Sequence, residues 1–153
     1  MPSKHKTLPV QVIHGPNLNL LGTREPELYG RATLAEIDAD LRAQANKIGL
    51  ELQSFQSNSE GALIDAVQGV RGKISGLIIN PAAYTHTSIA LRDAVLTLEV
   101  PIIEVHISNI HRREEFRRRS LLSDVVTGQI VGLGIQGYNL ALQALVHLLA
   151  EIR

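Results

Sequence analysis

The feature that most constrains this chain is the alternation of short apolar, β-branched segments with longer segments of helical periodicity. The strand-like segments are residues 8–13, 50–55, 76–79, 101–105 and 129–135. The helical segments are residues 33–48, a stretch from Asn58 or Ser59 towards Gly72, 88–98 and 138–152. Strands separated by helices predict right-handed crossovers, and therefore a parallel sheet with helices on both faces.

Five strands in 153 residues predict an α/β fold of three layers. The closest class is the flavodoxin-like fold, with a five-stranded parallel sheet in the order 2-1-3-4-5. The length fits a single domain, residues 1–153, in which residues 1–7 form an N-terminal tail. The last helix is apolar on most sides, so either the core of this chain or another subunit is expected to cover it.

Composition excludes several classes of protein. The chain has 15 basic and 15 acidic residues, and this balance argues against a nucleic-acid partner. It has no cysteine, which excludes disulfides, iron–sulfur clusters and thiol nucleophiles. No apolar run has the length of a signal peptide or of a membrane span, so we expect a cytoplasmic protein that does not bind a membrane.

Polar side chains follow three of the predicted strands. Asn17 follows the first strand, Asn80 and His86 follow the third, and Glu104 and His106 lie at the end of the fourth. Ligands of open parallel sheets bind outside the carboxyl ends of the strands, so we expect a site at this edge. Helix capping accounts for some of these residues but not for two histidines together with two asparagines.

Glu104 and His106 are two positions apart on one strand, so their side chains point to the same face. A carboxylate beside an imidazole fixes its tautomer and supports its protonated form, which is the arrangement of a general acid. A structural hydrogen bond is the alternative interpretation.

The segment from residue 15 to residue 31 has no clear periodicity, and a connection of about 17 residues is long for a compact domain. It contains Arg24 and Tyr29, with glycines near both ends that would serve as hinges. These features predict a lid over the site. A static loop with an incidental arginine and tyrosine is the alternative.

Two motifs are misleading on their own. Residues 132–137 match the dinucleotide pattern G-x-G-x-x-G, but only 16 residues follow, with no further strand and no acidic residue about 20 positions on. Tight packing at a strand–helix turn is the better interpretation. An arginine-rich run, interrupted by Glu114 and Glu115, predicts a solvated face from which one or two arginines reach an anionic substrate. The arginines of this run are Arg112, Arg113, Arg117, Arg118 and Arg119. His111 and the other histidines lack cysteines or paired carboxylates at ligand spacing, so we expect no metal.

Four motifs in this order make the chain, from about residue 10 to its end, resemble the type II 3-dehydroquinate dehydratases (3-dehydroquinases). They are GPNLNLLGTREPELYG, NPAAYTHTS, EVHISN and REEFRRRS. The resemblance implies an anti elimination of water from 3-dehydroquinate, through an enolate, to 3-dehydroshikimate, without metal or cofactor. It also implies a homododecamer, built as a tetramer of trimers, that acts in the shikimate pathway or in quinate catabolism.

The resemblance further implies a role for each matching residue. Tyr29, as the tyrosinate, is the base, with Arg24 beside it on the lid. His106 is the acid, with Glu104 behind it, and Asn17 and Asn80 help to place the water or donors that face the enolate. The implied substrate-binding residues are Asn80, His86, Asp93, Ile107, Ser108, Arg113 and Arg117. Asp93 is expected to reach the site of a neighbouring subunit, and the backbone amides of Ile107 and Ser108 are expected to face the substrate carboxylate.

Two other functions fit the same residues. A flavodoxin-like module that binds a small anion would explain the polar groups at the strand ends, but not Arg24 and Tyr29 together on one loop. A different cofactor-free lyase or isomerase, acting on a related carboxylic acid, is the second. No lysine lies at the carboxyl end of a predicted strand, which argues against a Schiff-base route.

Overall fold

The computed structural model describes residues 7–23 and 25–152, with only the backbone of Leu28 and Tyr29. Five parallel strands form one sheet in the order β2-β1-β3-β4-β5, which confirms the predicted fold class and strand order. The strands are β1 Val10–His14, β2 Leu52–Gln56, β3 Gly76–Asn80, β4 Ile102–His106 and β5 Gly128–Val131. The helices are α1 Pro26–Tyr29, α2 Leu34–Lys47, α3 Glu60–Gly69, α4 Ile89–Val95 and α5 Gln136–Glu151.

The three central strands β1, β3 and β4 are buried along their whole length. Alternate residues face opposite layers, so Val12 and Ile78 pack in the core under α2 and α5. Ile13 and Ile79 pack in the core under α3 and α4. Burial on both faces explains why these strands read as continuous apolar runs. The inner face of α5 is covered by this chain.

Local signals explain most of the element boundaries. Thr33 closes a capping box with Glu36 at the start of α2, and Ser59, not Asn58, caps α3. The fifth strand ends at Val131 and not at residue 135, because Gly132 and Gly134 have φ angles of 86° and 65°, which a strand does not accommodate. No helix among residues 7–23 and 25–152 is long and apolar enough to cross a membrane.

Helix α4 ends at Val95, three residues before the predicted end at residue 98. The Thr97 amide donates to the Ala94 carbonyl at 3.0 Å, and the Thr97 hydroxyl donates to the same oxygen at 2.7 Å. Bonds of this i to i+3 kind tighten and close a helix end, so the apolar residue Leu98 lies beyond the helix.

A close backbone contact brings the carboxyl ends of β1 and β3 together. The Gly15 amide donates to the Asn80 carbonyl at 2.7 Å. A Cβ atom on residue 15 would lie 2.4 Å from the Pro81 carbonyl oxygen, so only glycine fits here. The two segments that leave these strands therefore start side by side at the same edge of the sheet.

Candidate active site

A cavity of about 140 Å³ lies at the carboxyl ends of β1, β3 and β4, at the edge where the sequence predicts a site. Most of the predicted site residues line it: Asn17, Asn80, His86, His106, Ile107, Ser108, Arg113 and Arg117. Glu104 lies behind His106 with no exposed surface. Asp93 is exposed on α4, away from this cavity. Arg24 and the side chain of Tyr29 lie outside the described residues, so the predicted lid stays a prediction.

Glu104 is a buried carboxylate that accepts hydrogen bonds from several elements. His106 Nε2 lies 2.5 Å from its Oε2, the Thr85 hydroxyl donates at 2.6 Å, and the Gln129 amide donates at 2.7 Å. The Ser120 hydroxyl lies 3.0 Å from both oxygens. Burial alone would raise the pKa of Glu104, but these bonds, led by that from His106, outweigh burial and lower its pKa.

The ionised Glu104 determines which nitrogen of His106 carries a proton. A carboxylate only accepts hydrogen bonds, so Nε2 of His106 must be protonated. The other ring nitrogen, Nδ1, is then available to a molecule in the cavity. A proton on Nδ1 makes the ring an imidazolium, which the adjacent carboxylate stabilises. This pair can therefore act as a general acid.

His86 lies beside His106 as a second, differently tuned imidazole. The two rings stack with centroids 6.4 Å apart. Nδ1 of His86 lies 2.7 Å from the Arg119 carbonyl and must donate to it, which leaves Nε2 without a proton when the ring is neutral. Burial and the nearby charges of His106 and Arg117 lower the pKa of His86, although the carbonyl and Glu104 oppose them. His86 thus favours the neutral form beside the acid.

Asn17 has a φ angle of 70°, in the left-handed region where asparagine is tolerated better than most residues. Its backbone amide donates to Oδ1 of Asn58 at 2.9 Å. The Asn58 carbonyl in turn accepts a bond of 2.7 Å from the Tyr84 hydroxyl. The start of the segment after β1 is therefore anchored to the segment after β2.

The arginine-rich run divides between the cavity and the surface. Arg113 and Arg117 line the cavity, and Nη1 of Arg113 lies 3.4 Å from the Ser108 hydroxyl. Nε of Arg117 donates to Glu114 at 2.6 Å. Arg112, Arg118 and Arg119 are exposed. Two guanidinium groups on one wall suit the binding of a carboxylate.

The glycine-rich segment after β5 holds the segment after β4 in place. The Gly132 amide donates to the His106 carbonyl and the Gly134 amide donates to the Ile107 carbonyl, both at 3.0 Å. A Cβ on residue 132 would lie 2.9 Å from Cβ of Asn109. Gly132 therefore serves close packing at this turn, as predicted, whereas Gly134 has open space around it and a φ angle of 65°.

Sequence reasoning missed the partners of the predicted residues. Thr85, Ser120 and Gln129 all contact Glu104, and the hydroxyl of Tyr138 accepts from the amide of Asn80. Of these residues, only Gln129 lies on a predicted strand, where it is opposite Glu104 in the register of β4 and β5. Its contact could therefore have been expected from the order of the strands. Ser120 comes from an irregular segment, whose position depends on the whole fold.

Comparisons with known proteins agree with this geometry. A sequence model of the family described as dehydroquinase class II matches residues 8–146. A 3-dehydroquinate dehydratase from Sodalis glossinidius is 55% identical over 141 residues, which cover 92% of this chain and 94% of that protein. A catabolic 3-dehydroquinase from Aspergillus terreus is 54% identical over 134 residues, which cover 88% of each chain. The crystal structure of a type II dehydroquinase from Propionibacterium acnes superposes with a TM-score of 0.89 at 43% identity, covering 94% of this chain and 99% of that one.

These matches cover the three strands and the following segments that line the cavity. Relatives from a bacterium and a fungus are named for the same hydro-lyase activity. Among the interpretations that the sequence left open, this favours an enzyme over a module that only binds an anion. The chain belongs to the class II dehydroquinase family and is a hydro-lyase of the 3-dehydroquinate dehydratase type.

Proposed function

We propose that this enzyme catalyses the anti elimination of water from 3-dehydroquinate to give 3-dehydroshikimate, with Tyr29 as the base and His106 as the acid. The observation that carries the proposal is the buried Glu104–His106 pair at the wall of the cavity. Hydroxide is a poor leaving group, so its departure needs a proton from a positioned acid. An imidazolium hydrogen-bonded to an ionised carboxylate is such an acid.

The choice of Tyr29 is supported by the surroundings of the other two tyrosines. Tyr138 is 1% exposed, and burial raises its pKa, so it does not ionise. The Tyr84 hydroxyl is engaged with the Asn58 carbonyl, and Tyr84 is not among the residues that line the cavity. Tyr29 lies on α1, within the segment that carries Arg24.

A tyrosine needs help to act as a base. At its ordinary pKa of about 10, only about 0.1% is ionised at pH 7, a cost of roughly 4 kcal/mol. A guanidinium beside the phenol favours the anion, and arginine stays protonated throughout the neutral range. We propose that Arg24 has this role and that the segment of residues 15–31 closes over the bound substrate.

The remaining wall is proposed to bind the substrate and the enolate. Asn17 and Asn80 supply donors for the developing negative charge, and a positioned donor contributes roughly 3 kcal/mol to such a step. Ile107 and Ser108 offer backbone amides to the carboxylate, with Arg113 and Arg117 on the same wall and His86 beside them. No metal or cofactor has a part in the proposed reaction. Among the described residues, no group of three or more His, Asp or Glu side chains is placed to hold a metal ion.

We also propose that residues 1–153 form one cytoplasmic catalytic domain that assembles into a dodecamer, a tetramer of trimers. Helix α4 exposes 65% of Ile89, and Leu96 just after it is 54% exposed, with Asp93 between them. Such apolar residues suit a subunit contact that brings Asp93 to the neighbouring site. Sedimentation of a 16.7 kDa particle at micromolar concentration would contradict this assembly.

The test replaces each of two tyrosines by phenylalanine and follows the ultraviolet absorbance of the conjugated enone product. Tyr29→Phe should lower kcat by about 10²–10⁴-fold, because the base is lost, while the substrate still binds. Tyr84→Phe is the matched control and should stay within about fivefold of the wild type. Full turnover by Tyr29→Phe would remove Tyr29 from the role of base. A folded wild type that binds 3-dehydroquinate and does not convert it would overturn the proposed function.

A further inference from the structure

A hydrogen-bonded network of polar side chains lies behind the cavity. It connects Asp38 on α2, through His14 and Tyr138, to Asn80. Nε2 of His14 lies 2.8 Å from Oδ1 of Asp38, and Nδ1 of His14 lies 3.2 Å from the hydroxyl of Tyr138. The amide of Asn80 donates to the same hydroxyl at 2.9 Å. His14 has no exposed surface, and Tyr138 and Asn80 are 1% and 3% exposed. Only Asn80 of these residues lines the cavity.

The donors and acceptors available in this network allow only one direction for its hydrogen bonds. Burial opposes the ionisation of Asp38, but the bonds from His14 and Ser54 lower its pKa, so Asp38 is a carboxylate that accepts from Nε2–H of His14. Because burial raises the pKa of Tyr138, its phenol keeps its proton. The hydroxyl already accepts from Asn80, so its own proton is directed at Nδ1 of His14.

The available donors and acceptors also fix the orientation of the Asn80 amide. Oδ1 of Asn80 accepts from the Ala82 backbone amide at 3.0 Å, and Nδ2 donates to Tyr138. A flipped amide would place two donors against each other at Ala82. Asn80 is thus left with one free N–H bond, and its position in the cavity wall makes that bond a donor to a bound molecule.

A polar network at this place needs an explanation, because apolar residues would fill the space without the desolvation cost of buried polar groups. The other core positions of β1 include Val10, Val12 and Ile13, and hydrogen-bonded polar groups in a core are often no more stabilising than well-packed apolar groups. The network ends at Asn80, a residue of the candidate active site. A role in positioning Asn80 explains why the network is polar.

We propose that Asp38, His14 and Tyr138 are positioning residues that hold the Asn80 amide with its free N–H directed at the substrate. The proposal rests on the proposed function, because it takes the cavity to be the site of the reaction. The network acts through Asn80 alone. Removing one of its members should therefore lower activity only while Asn80 is present.

A double-mutant cycle tests this dependence. Tyr138→Phe should lower kcat/KM by about tenfold, mostly through kcat, because a donor to the reacting substrate loses its fixed position. In the Asn80→Ala background, the same change should alter kcat/KM by less than about twofold. Equal effects of Tyr138→Phe in both backgrounds would overturn the proposal.

Two further variants separate positioning from general damage to the fold. Asp38→Asn keeps an oxygen that accepts from His14 and should stay within about threefold of the wild type, whereas Asp38→Ala should lose about as much as Tyr138→Phe. Val10→Ala makes a cavity in the same core, at the opposite end of β1, and should lower stability without changing kcat/KM. Equal activity of the two Asp38 variants would contradict the proposal.

The tautomer of His14 gives a readout that needs neither a variant nor activity. In a long-range ¹H–¹⁵N spectrum of histidine-labelled wild type, Nε2 of His14 should carry a proton, and Nδ1 should accept from the Tyr138 hydroxyl. A proton on Nδ1 would overturn the proposal whether or not the variants fold. If the wild type does not turn over 3-dehydroquinate, the proposed function is contradicted instead. The spectrum would still decide the direction of the hydrogen bonds in the network.

Discussion

At the scale of single residues, the proposed chemistry depends on the charge of Glu104. This carboxylate has no contact with solvent, and its donors come from β4, β5 and the segments that follow β3 and β4. A buried charge is stable only when such donors are in place, so each of them contributes to the state of His106. The acid of the proposed reaction is therefore a property of several elements together.

We expect Glu104→Gln to lower kcat for 3-dehydroquinate by about 10²-fold or more, because the neutral amide no longer stabilises the imidazolium. The value of KM should change much less, since Glu104 does not line the cavity. Glu99→Gln, at an exposed position, is the matched control and should keep the activity of the wild type. An active Glu104→Gln enzyme in steady-state assays would refute the role of the pair.

The sequence predicted the Glu104–His106 pair because a spacing of two on a strand fixes a shared face. It also indicated Asn17, Asn80 and His86, since polar residues at strand ends meet at one edge of a parallel sheet. Tyr138 was beyond this reasoning. Its hydroxyl reaches Asn80 only because α5 packs across β3 and β4, a distance of 58 positions in the chain.

At the scale of elements, the site requires the close approach of the segments that leave β1 and β3. We expect Gly15→Ala to destabilise the fold by about 1–3 kcal/mol. Its Cβ would lie 2.4 Å from the Pro81 carbonyl oxygen, which can move away only if the backbone around it shifts. Gly69→Ala, at the end of α3 with open space around it, should be neutral or stabilise by up to about 1 kcal/mol. Urea unfolding of both variants measures the difference, and equal stabilities would contradict this account of the strand ends.

Periodicity predicted the existence and type of the main strands and helices, because burial of one or both faces leaves a regular pattern. Boundaries failed where backbone conformation decides. Gly132 and Gly134 look like part of an apolar strand in GQIVGLGI, yet their positive φ angles end it. The segment of residues 15–31 has no periodic signal, because the apolar side chains that it buries among its described residues, Leu18 and Leu21, follow neither a helix nor a strand repeat.

At the scale of the whole molecule, two carboxylates link stability to pH: Glu104, which is buried, and Asp38, which is partly buried. The pKa values of Asp38 and Glu104 are lowered in the folded state, so the unfolded chain takes up protons in the acidic range. Their contribution is complete above the unfolded pKa values of about 4 and is lost as the pH falls through the folded ones.

We therefore expect the free energy of unfolding to fall as the pH is lowered below about 4.5, with a shallower fall for Asp38→Asn than for the wild type. The control Asp65→Asn, at an exposed position on α3, should keep the slope of the wild type. Urea unfolding between pH 3 and pH 7 measures these slopes. A wild type whose stability rises with acidification would contradict the assigned charges of Asp38 and Glu104.

The central claim is that this enzyme dehydrates 3-dehydroquinate by acid–base chemistry of its own side chains. The most direct measurement is the ultraviolet absorbance of purified, EDTA-treated wild type with 3-dehydroquinate, with and without prior exposure to substrate and borohydride. We predict that the absorbance of the conjugated enone rises at the same rate in every case. A flat trace from folded protein, or a rate abolished by EDTA or by borohydride, would contradict the account.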